Sequence, residues 1–228
     1  MILQTLATGA LGLVSGYVHT SLVESLCHNY LQHASRATRD VYEQHPILSK
    51  PLMDAWKSHT MGHHVLTFRK SQTEMHHSLE SELDATLYSL ENGFDPAELN
   101  GLTVNWRGFF KMLVPFAPLC GLAYYFLPAA FSVPFAIMAL HCPAKSKWIH
   151  PWHHVAYELA CRFAPAPVAW YLRTFLGRFE WVYHDMHHRK PSINFNLAGF
   201  LGDLITGRMK WPTAKDWEIA RLRNGPSL

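Results

Sequence analysis

The stretch His184-Asp-Met-His-His188 places three histidines within five residues, and His150-Pro-Trp-His-His154 repeats the same H-x-x-H-H pattern. Histidine makes up 16 of the 228 residues, and two copies of this pattern exceed what such a composition gives by chance. On an α-helix, residues i, i+3 and i+4 share one face. The three histidines of each stretch are therefore predicted to face a common point.

Two further histidine groups lie nearer the N-terminus. His28 and His33 form H-x4-H, and His59, His63 and His64 form H-x3-H-H. His28 and His33 are five residues apart, about 140° round an α-helix, so they share a face only if the helix ends or bends between them. His59 and His63 are neighbours one turn apart, and His64 lies one residue further round.

These groups together are predicted to hold metal. Imidazole nitrogen suits iron, copper and zinc, and one zinc ion needs about four ligands, so the histidines suffice for two ions. The chain has neither an H-E-x-x-H motif nor the repeated E-x-x-H pairs of carboxylate-bridged diiron bundles. The candidate ligands are His28, His33, His59, His63, His64, His150, His153, His154, His184, His187 and His188. The third group can also be interpreted as H-x3-H, which leaves out His153.

An uncharged stretch opens the chain. Residues 1–23 carry no charge and are long enough to cross a bilayer core, which needs about 20 apolar residues. Gly9, Gly12 and Gly16 suit close packing against another helix. Residues 1–23 are predicted to form a membrane helix, and the alternative is a buried helix of a soluble protein.

A second uncharged stretch covers residues 112–144. Its five prolines exclude one straight helix, and it is short for two full spans. It is predicted to be a membrane hairpin of two short helices that turns near Leu127-Pro128. Basic residues on both sides, such as Lys111 and Lys145, favour a cytoplasmic entry and exit.

The predicted fold class is all-α, with one domain over residues 1–228 and a histidine-lined dimetal site on the cytoplasmic side of a membrane. A net charge of +3 and the lack of nucleic-acid motifs argue against a nucleic-acid partner. The four cysteines form no C-x-x-C pair, which argues against a disulfide scaffold.

The order of the four groups resembles the histidine boxes of the fatty acid hydroxylase / sterol desaturase superfamily. That family continues its last box as H-H-x2-F-x2-N-Y-G-x6-D-x-L-F-G, and here Asn194, Asp203 and Gly207 follow His188 at matching spacing. Asn196 stands where the family usually has Gly. The second group, HTMGHH, has three residues between its histidines where the family more often has two, and is more similar to the corresponding box of membrane alkane hydroxylases.

The resemblance implies an integral membrane enzyme that holds two iron ions (Fe2+/Fe3+) and uses O2 as co-substrate. The expected reaction is hydroxylation or desaturation of an unactivated C–H bond in a lipid-like or other hydrophobic substrate. Electrons would come from a separate electron-transfer protein of the ferredoxin, rubredoxin or cytochrome b5 type. Asp185 and Asn194 are predicted to support the ligands from behind. The alternatives are a histidine-rich metal-binding or transport protein without catalysis, and a zinc hydrolase.

Overall fold

The structure, a computed structural model, describes residues 2–69, 71–76, 78–96, 106–197 and 199–224. Regular structure within these residues is helical, as predicted. The α-helices are α1 (Ile2–Cys27), α2 (Arg36–Gln44), α3 (Pro46–Trp56), α4 (Leu79–Glu91), α5 (Trp106–Leu113), α6 (Ala117–Phe126), α7 (Ala129–Ala139), α8 (His141–Trp148), α9 (His150–His153), α10 (Tyr157–Phe163), α11 (Ala166–Arg173), α12 (Phe175–Arg189), α13 (Leu201–Ile205) and α14 (Ala214–Asn224). Two π-helical segments, π1 (His28–Gln32) and π2 (Lys57–Thr67), and a 3-10 turn, Val114–Phe116, complete the described helices.

Two helical stretches are long and apolar enough to cross a membrane. They are Ile2–Gln32, which combines α1 with π1, and Trp106–Phe126, which combines α5, the 3-10 turn and α6. Both expose large apolar side chains, for example Leu3 and Tyr125. Exposed apolar surface of this extent is typical of a contact with lipid or with another protein.

The second uncharged stretch folds into two arms. As predicted from the sequence, α6 ends and α7 begins around Leu127–Pro128. The first arm begins at Trp106, earlier than expected, because Pro115 is accommodated in the 3-10 turn and Pro118 in the first turn of α6. Proline at the start of a helix removes an N–H that has no helical partner there, so the arm continues.

Lys145, expected as a basic residue flanking the membrane, lies inside the protein instead. Its ammonium group is 2.5 Å from a carboxylate oxygen of Glu180, and both side chains are more than nine-tenths buried. Lys147 lies over the ring of Trp106, 4.6 Å from its centroid. A buried lysine is stabilised by a carboxylate partner, so Lys145 belongs to the packing between α8 and α12.

Helix α1 packs closely against α7 through its glycines. A Cβ atom on Gly12 would lie 2.4 Å from the carbonyl oxygen of Phe131, and one on Gly16 would lie 2.6 Å from that of Phe135. Real Cβ atoms essentially never lie this close to a non-bonded atom, so only glycine permits this approach. The predicted role of these glycines in helix packing is confirmed.

We predict that Gly12→Ala destabilises the protein by about 1–3 kcal/mol, because the added methyl group pushes α7 away. Gly121→Ala is the matched control, since a Cβ atom there meets nothing within 4 Å. Thermal unfolding of both variants in detergent measures the difference. Equal stability of the two variants would contradict the packing of α1 on α7.

Candidate metal centre

Ten of the eleven candidate ligands gather into two adjoining groups. Within each cluster of histidines, one ring nitrogen per residue lies within 4.8 Å of every other. Group A contains His28, His33, His59, His64 and His187. Group B combines two overlapping clusters and contains His63, His150, His154, His184 and His188. The clusters contain neither carboxylate nor thiolate among the described residues, so each offers an all-nitrogen site that could hold a metal ion.

The two π-helical segments explain how histidines five residues apart come together. A π-helix closes i→i+5 hydrogen bonds, and the backbone N–H of His33 donates to the carbonyl of His28 at 2.9 Å. His59 and His64 are likewise five apart within π2. In an α-helix, as expected from the sequence, His59 would pair with His63. The structure pairs His59 with His64 and turns His63 toward group B.

Consecutive histidines are divided between the groups. In π2, His63 belongs to group B and His64 to group A. On α12, His188 belongs to group B and His187 to group A. Successive residues on a helix point about 100° apart, so one His-His pair can serve two neighbouring sites. The expectation that all three histidines of residues 184–188 face one point is therefore wrong. The groups adjoin, since the rings of His64 and His188 have centroids 4.3 Å apart.

Hydrogen bonds at Nδ1 fix the orientation of several imidazoles. His28 donates from Nδ1 to the carbonyl of Phe195 at 2.5 Å, and His187 donates to that of Ile193 at 2.8 Å. In group B, His154 donates from Nδ1 to the carbonyl of Gln72 at 2.8 Å. A carbonyl oxygen only accepts, so Nδ1 carries the proton in each ring. Their Nε2 atoms therefore keep free lone pairs directed into the groups.

His33 is fixed in the same way through Thr60. The Thr60 hydroxyl donates its proton to the carbonyl of Gln32, so its oxygen is left to accept from Nδ1 of His33 at 3.2 Å. The Nε2 atoms of His33 and His187 then both carry lone pairs, yet they lie 3.2 Å apart. Two lone pairs at this distance repel unless a cation lies between them. The residues therefore fit a metal ion.

Burial keeps these imidazoles neutral, which is the form that binds metal. Burial, and then the charge of His187, lowers the pKa of His33 to about 2. Burial lowers the pKa of His187 to about 4. In group B, burial and the neighbouring histidines hold the pKa of His154 and His188 well below the usual value. The lone pairs are thus not lost to protons near neutral pH.

The spacing of the nitrogens suits ligands of one ion. A histidine nitrogen lies about 2.1 Å from a bound zinc ion, so two nitrogens at right angles around such an ion are about 3.0 Å apart. The Nε2 pairs observed include His28–His59 at 2.8 Å, His64–His187 at 3.2 Å, His150–His154 at 3.0 Å and His154–His184 at 3.3 Å. The two groups therefore have the dimensions of coordination sites.

His153 is the one candidate ligand that lies outside both groups. Its ring is fully buried, and neither ring nitrogen has a hydrogen-bond partner among the described residues. The ring centroid is 5.6 Å from that of His184. In this segment His150 and His154, the pair of the H-x3-H interpretation, are the histidines that join group B.

The carboxylate of Asp185 pairs with arginines. It accepts from Arg189 at 2.9 Å and lies 3.7 Å from Arg223, so it joins α12 to α14. Burial raises the pKa of Asp185, and the nearby Arg189 opposes that rise. Among the described residues, its hydrogen-bond and ion-pair partners are arginines. The expected support of imidazoles by Asp185 is not seen, because backbone carbonyls take that role.

Asn194 shapes the loop whose carbonyls support group A. It has φ +58°, in the left-handed region, and its side chain exchanges hydrogen bonds with the backbone of Lys210 at 2.8 and 3.3 Å. Its neighbours Ile193 and Phe195 provide the carbonyls for His187 and His28. Asn194 thus supports the ligands indirectly, by holding the loop.

A buried polar network ties this loop to α1 and α12. Asp203 accepts from Ser25 at 2.6 Å, from Tyr183 at 2.6 Å and from the backbone N–H of Asn196 at 2.7 Å. The side chain of Asn196 donates to Glu24 at 2.9 Å. Sequence reasoning missed Glu24 and Ser25. Asn196 was noted in the sequence for its position after the last histidine group, and its side-chain amide is what reaches Glu24.

The remaining described histidines take no part in the groups. His19 stacks on Phe135 with centroids 5.3 Å apart, and His45, His76 and His141 belong to neither cluster. His77 lies outside the described residues. The histidines that converge are therefore those that lie in the four sequence groups. His153 is the exception, because it lies in the third sequence group but outside groups A and B.

No family model, curated protein or solved structure matches this chain. The resemblance to the fatty acid hydroxylase / sterol desaturase superfamily rests on the histidine pattern and the residues that follow it, and it stays a prediction.

We predict that Asn194→Ala destabilises the protein by about 1–3 kcal/mol, because it loses the amide hydrogen bonds and because alanine tolerates the left-handed region less well than asparagine. Asn194→Gly accepts the backbone conformation and loses only the amide. Thermal unfolding should therefore rank wild type above Asn194→Gly and Asn194→Ala lowest. The reverse order of the two variants would show that this loop does not need a positive φ.

Proposed function

We propose that the protein is an O2-dependent non-haem diiron oxygenase that hydroxylates or desaturates an unactivated C–H bond of a hydrophobic substrate. Groups A and B would each hold one iron ion. The observation that carries the proposal is the pairing of lone pairs in group A, where Nε2 of His33 and Nε2 of His187 lie 3.2 Å apart with both protons fixed at Nδ1.

The number of imidazoles argues against a hydrolytic zinc site. Catalytic zinc sites use three protein ligands and often include a carboxylate or a thiolate, whereas group A offers five imidazoles and group B offers two overlapping sets of three. A metal-transport site must release its ion, but most of these histidines are buried, with four held at Nδ1. Both features support resident ions.

Bound iron would supply the activation of O2 and the oxidation of the C–H bond. The chain's own residues hold each imidazole neutral and direct Nε2 inward. Phe68 packs on His154 with centroids 4.3 Å apart, and Phe195 lies 5.4 Å from His28. Both phenylalanines are about 1% exposed, so they exclude water from two sides of the groups.

The surroundings of the site agree with a membrane enzyme. The two apolar helices Ile2–Gln32 and Trp106–Phe126 would anchor the protein in the lipid bilayer, and the histidine groups would face the cytoplasm. Electrons would come from an electron-transfer protein of the ferredoxin, rubredoxin or cytochrome b5 type, docked on the cytoplasmic side.

We predict that single ligand variants remove one ion each. His187→Ala should empty group A and His184→Ala should empty group B, so iron should fall from about two ions to about one per chain. His45→Ala is the matched control, because His45 is exposed and outside both groups. Iron content is measured after anaerobic reconstitution with Fe2+. Loss of all iron in both ligand variants, with folding retained, would favour one shared site.

We predict that His153→Ala keeps both iron ions, because the ring nitrogens of His153 lie outside the two groups. Iron content and the Mössbauer spectrum should match those of the wild-type protein. A loss of one iron per chain would instead place His153 among the ligands.

The reaction itself is tested with reconstituted protein under single-turnover conditions. We expect a Mössbauer signal of paired irons and, on exposure to O2 with a lipid substrate, consumption of O2 and formation of an oxidised product. One zinc ion per chain and no reaction with O2 would reject the oxygenase and favour a hydrolase. Labile metal with no substrate-dependent uptake of O2 would favour storage or transport.

A further inference from the structure

An apolar cleft of about 530 Å³ opens between α8, α11 and the start of α12. Its walls include Trp148, Val168 and Leu176, and its lining also contains Lys145, Tyr171 and Glu180. A cavity of this size with a few convergent polar groups is typical of a small-molecule site. The cleft lies outside the two histidine groups.

The polar residues of the cleft form a self-neutralising cluster. The Lys145 ammonium donates to Glu180 at 2.5 Å and to the Tyr171 hydroxyl at 3.1 Å, and Tyr171 donates in turn to Glu180. Burial and the charge of Glu180 raise the pKa of Tyr171, so its hydroxyl keeps its proton. An ammonium group has three N–H donors, and the described residues accept two of them.

The cleft adjoins group B through α12 and α9. Glu180 lies one helical turn before His184 on α12, and Ile149, which lines the cleft, directly precedes His150 at the start of α9. The ring of His153, also on α9, is 5.6 Å from that of His184. A molecule in the cleft therefore lies against the wall that carries the group B histidines.

We infer that this cleft binds the substrate, and that the substrate is an uncharged apolar molecule with one hydroxyl group, which the Lys145–Glu180–Tyr171 cluster anchors. This inference rests on the proposed function for the oxidation that follows binding. A hydroxyl both donates and accepts, so it matches the remaining N–H of Lys145 together with the carboxylate of Glu180. A carboxylate ligand would be repelled by Glu180 and an amine by Lys145, because the two charges already balance each other.

The test uses photoaffinity labelling of the full-length, iron-loaded protein in detergent, without O2 or reductant. The probe is dodecan-1-ol with a diazirine in its chain, compared with the same diazirine chain as a hydrocarbon, a carboxylic acid and an amine. We expect the alcohol to label α8 and α11 about tenfold more than the other three, the ratio that one hydrogen bond to a charged group supports. Peptide mass spectrometry locates and quantifies the label.

Three variants and one matched control separate the cleft from its anchor. Ala144→Phe places a ring in the cleft and should abolish labelling, whereas the matched control Ala214→Phe, at an exposed residue of α14, should not change it. The double variant Lys145→Met/Glu180→Leu removes both charges together and leaves no buried charge unpaired. It should label equally with the alcohol and the hydrocarbon. Tyr171→Phe, which removes one hydroxyl only, should reduce the preference for the alcohol.

Equal labelling by the four probes in the wild-type protein, or labelling confined to other helices, would overturn the inference. The labelling requires no turnover, so its outcome is independent of the proposed chemistry. Oxidation of a lipid without labelling of the cleft would reject this site and keep the oxygenase. Selective labelling without any O2-dependent product would keep the site and reject the oxygenase.

Discussion

The unshared lone pairs of buried, neutral imidazoles are the constraint on which the rest of the structure depends. His28, His33 and His187 have their protons fixed at Nδ1, so their Nε2 atoms point at one another. Such an arrangement is unfavourable without a cation. The loop around Asn194 and the network around Asp203 hold it in place, since they provide the carbonyl acceptors and attach them to α1 and α12.

The α-helix and the π-helix each distribute their histidines between groups A and B. In α12, α-helical geometry puts His184 and His188 together and sends His187 to the other group. In π2, the wider turn brings His59 and His64 together in group A, and His63 lies in group B. Each His-His pair links the groups through two adjacent residues of one backbone. Helix geometry therefore directs the two imidazoles of each pair into different groups.

The sequence predicted the helical class and the turn near Leu127-Pro128. It also predicted that eleven histidines come together, and ten of them do. It did not predict their grouping, because the pairing of His28 with His33 requires a π-turn, and the residue pattern is the same for both kinds of helix. The prediction that Lys145 lies at the membrane surface was also wrong, because its side chain is buried against Glu180. Basic residues beside apolar stretches usually face water, and the partner that buries this one, Glu180, is 35 residues away in the chain.

Group A joins distant parts of the chain, since His33 and His187 are 154 residues apart. During synthesis, His28, His33, His59 and His64 emerge long before α12, so group A stays incomplete until α12 has been made. The affinity of imidazole sites follows the general order of the divalent metals and does not by itself favour iron. The ion that group A would hold would therefore depend on which ion the cell supplies once α12 has been made.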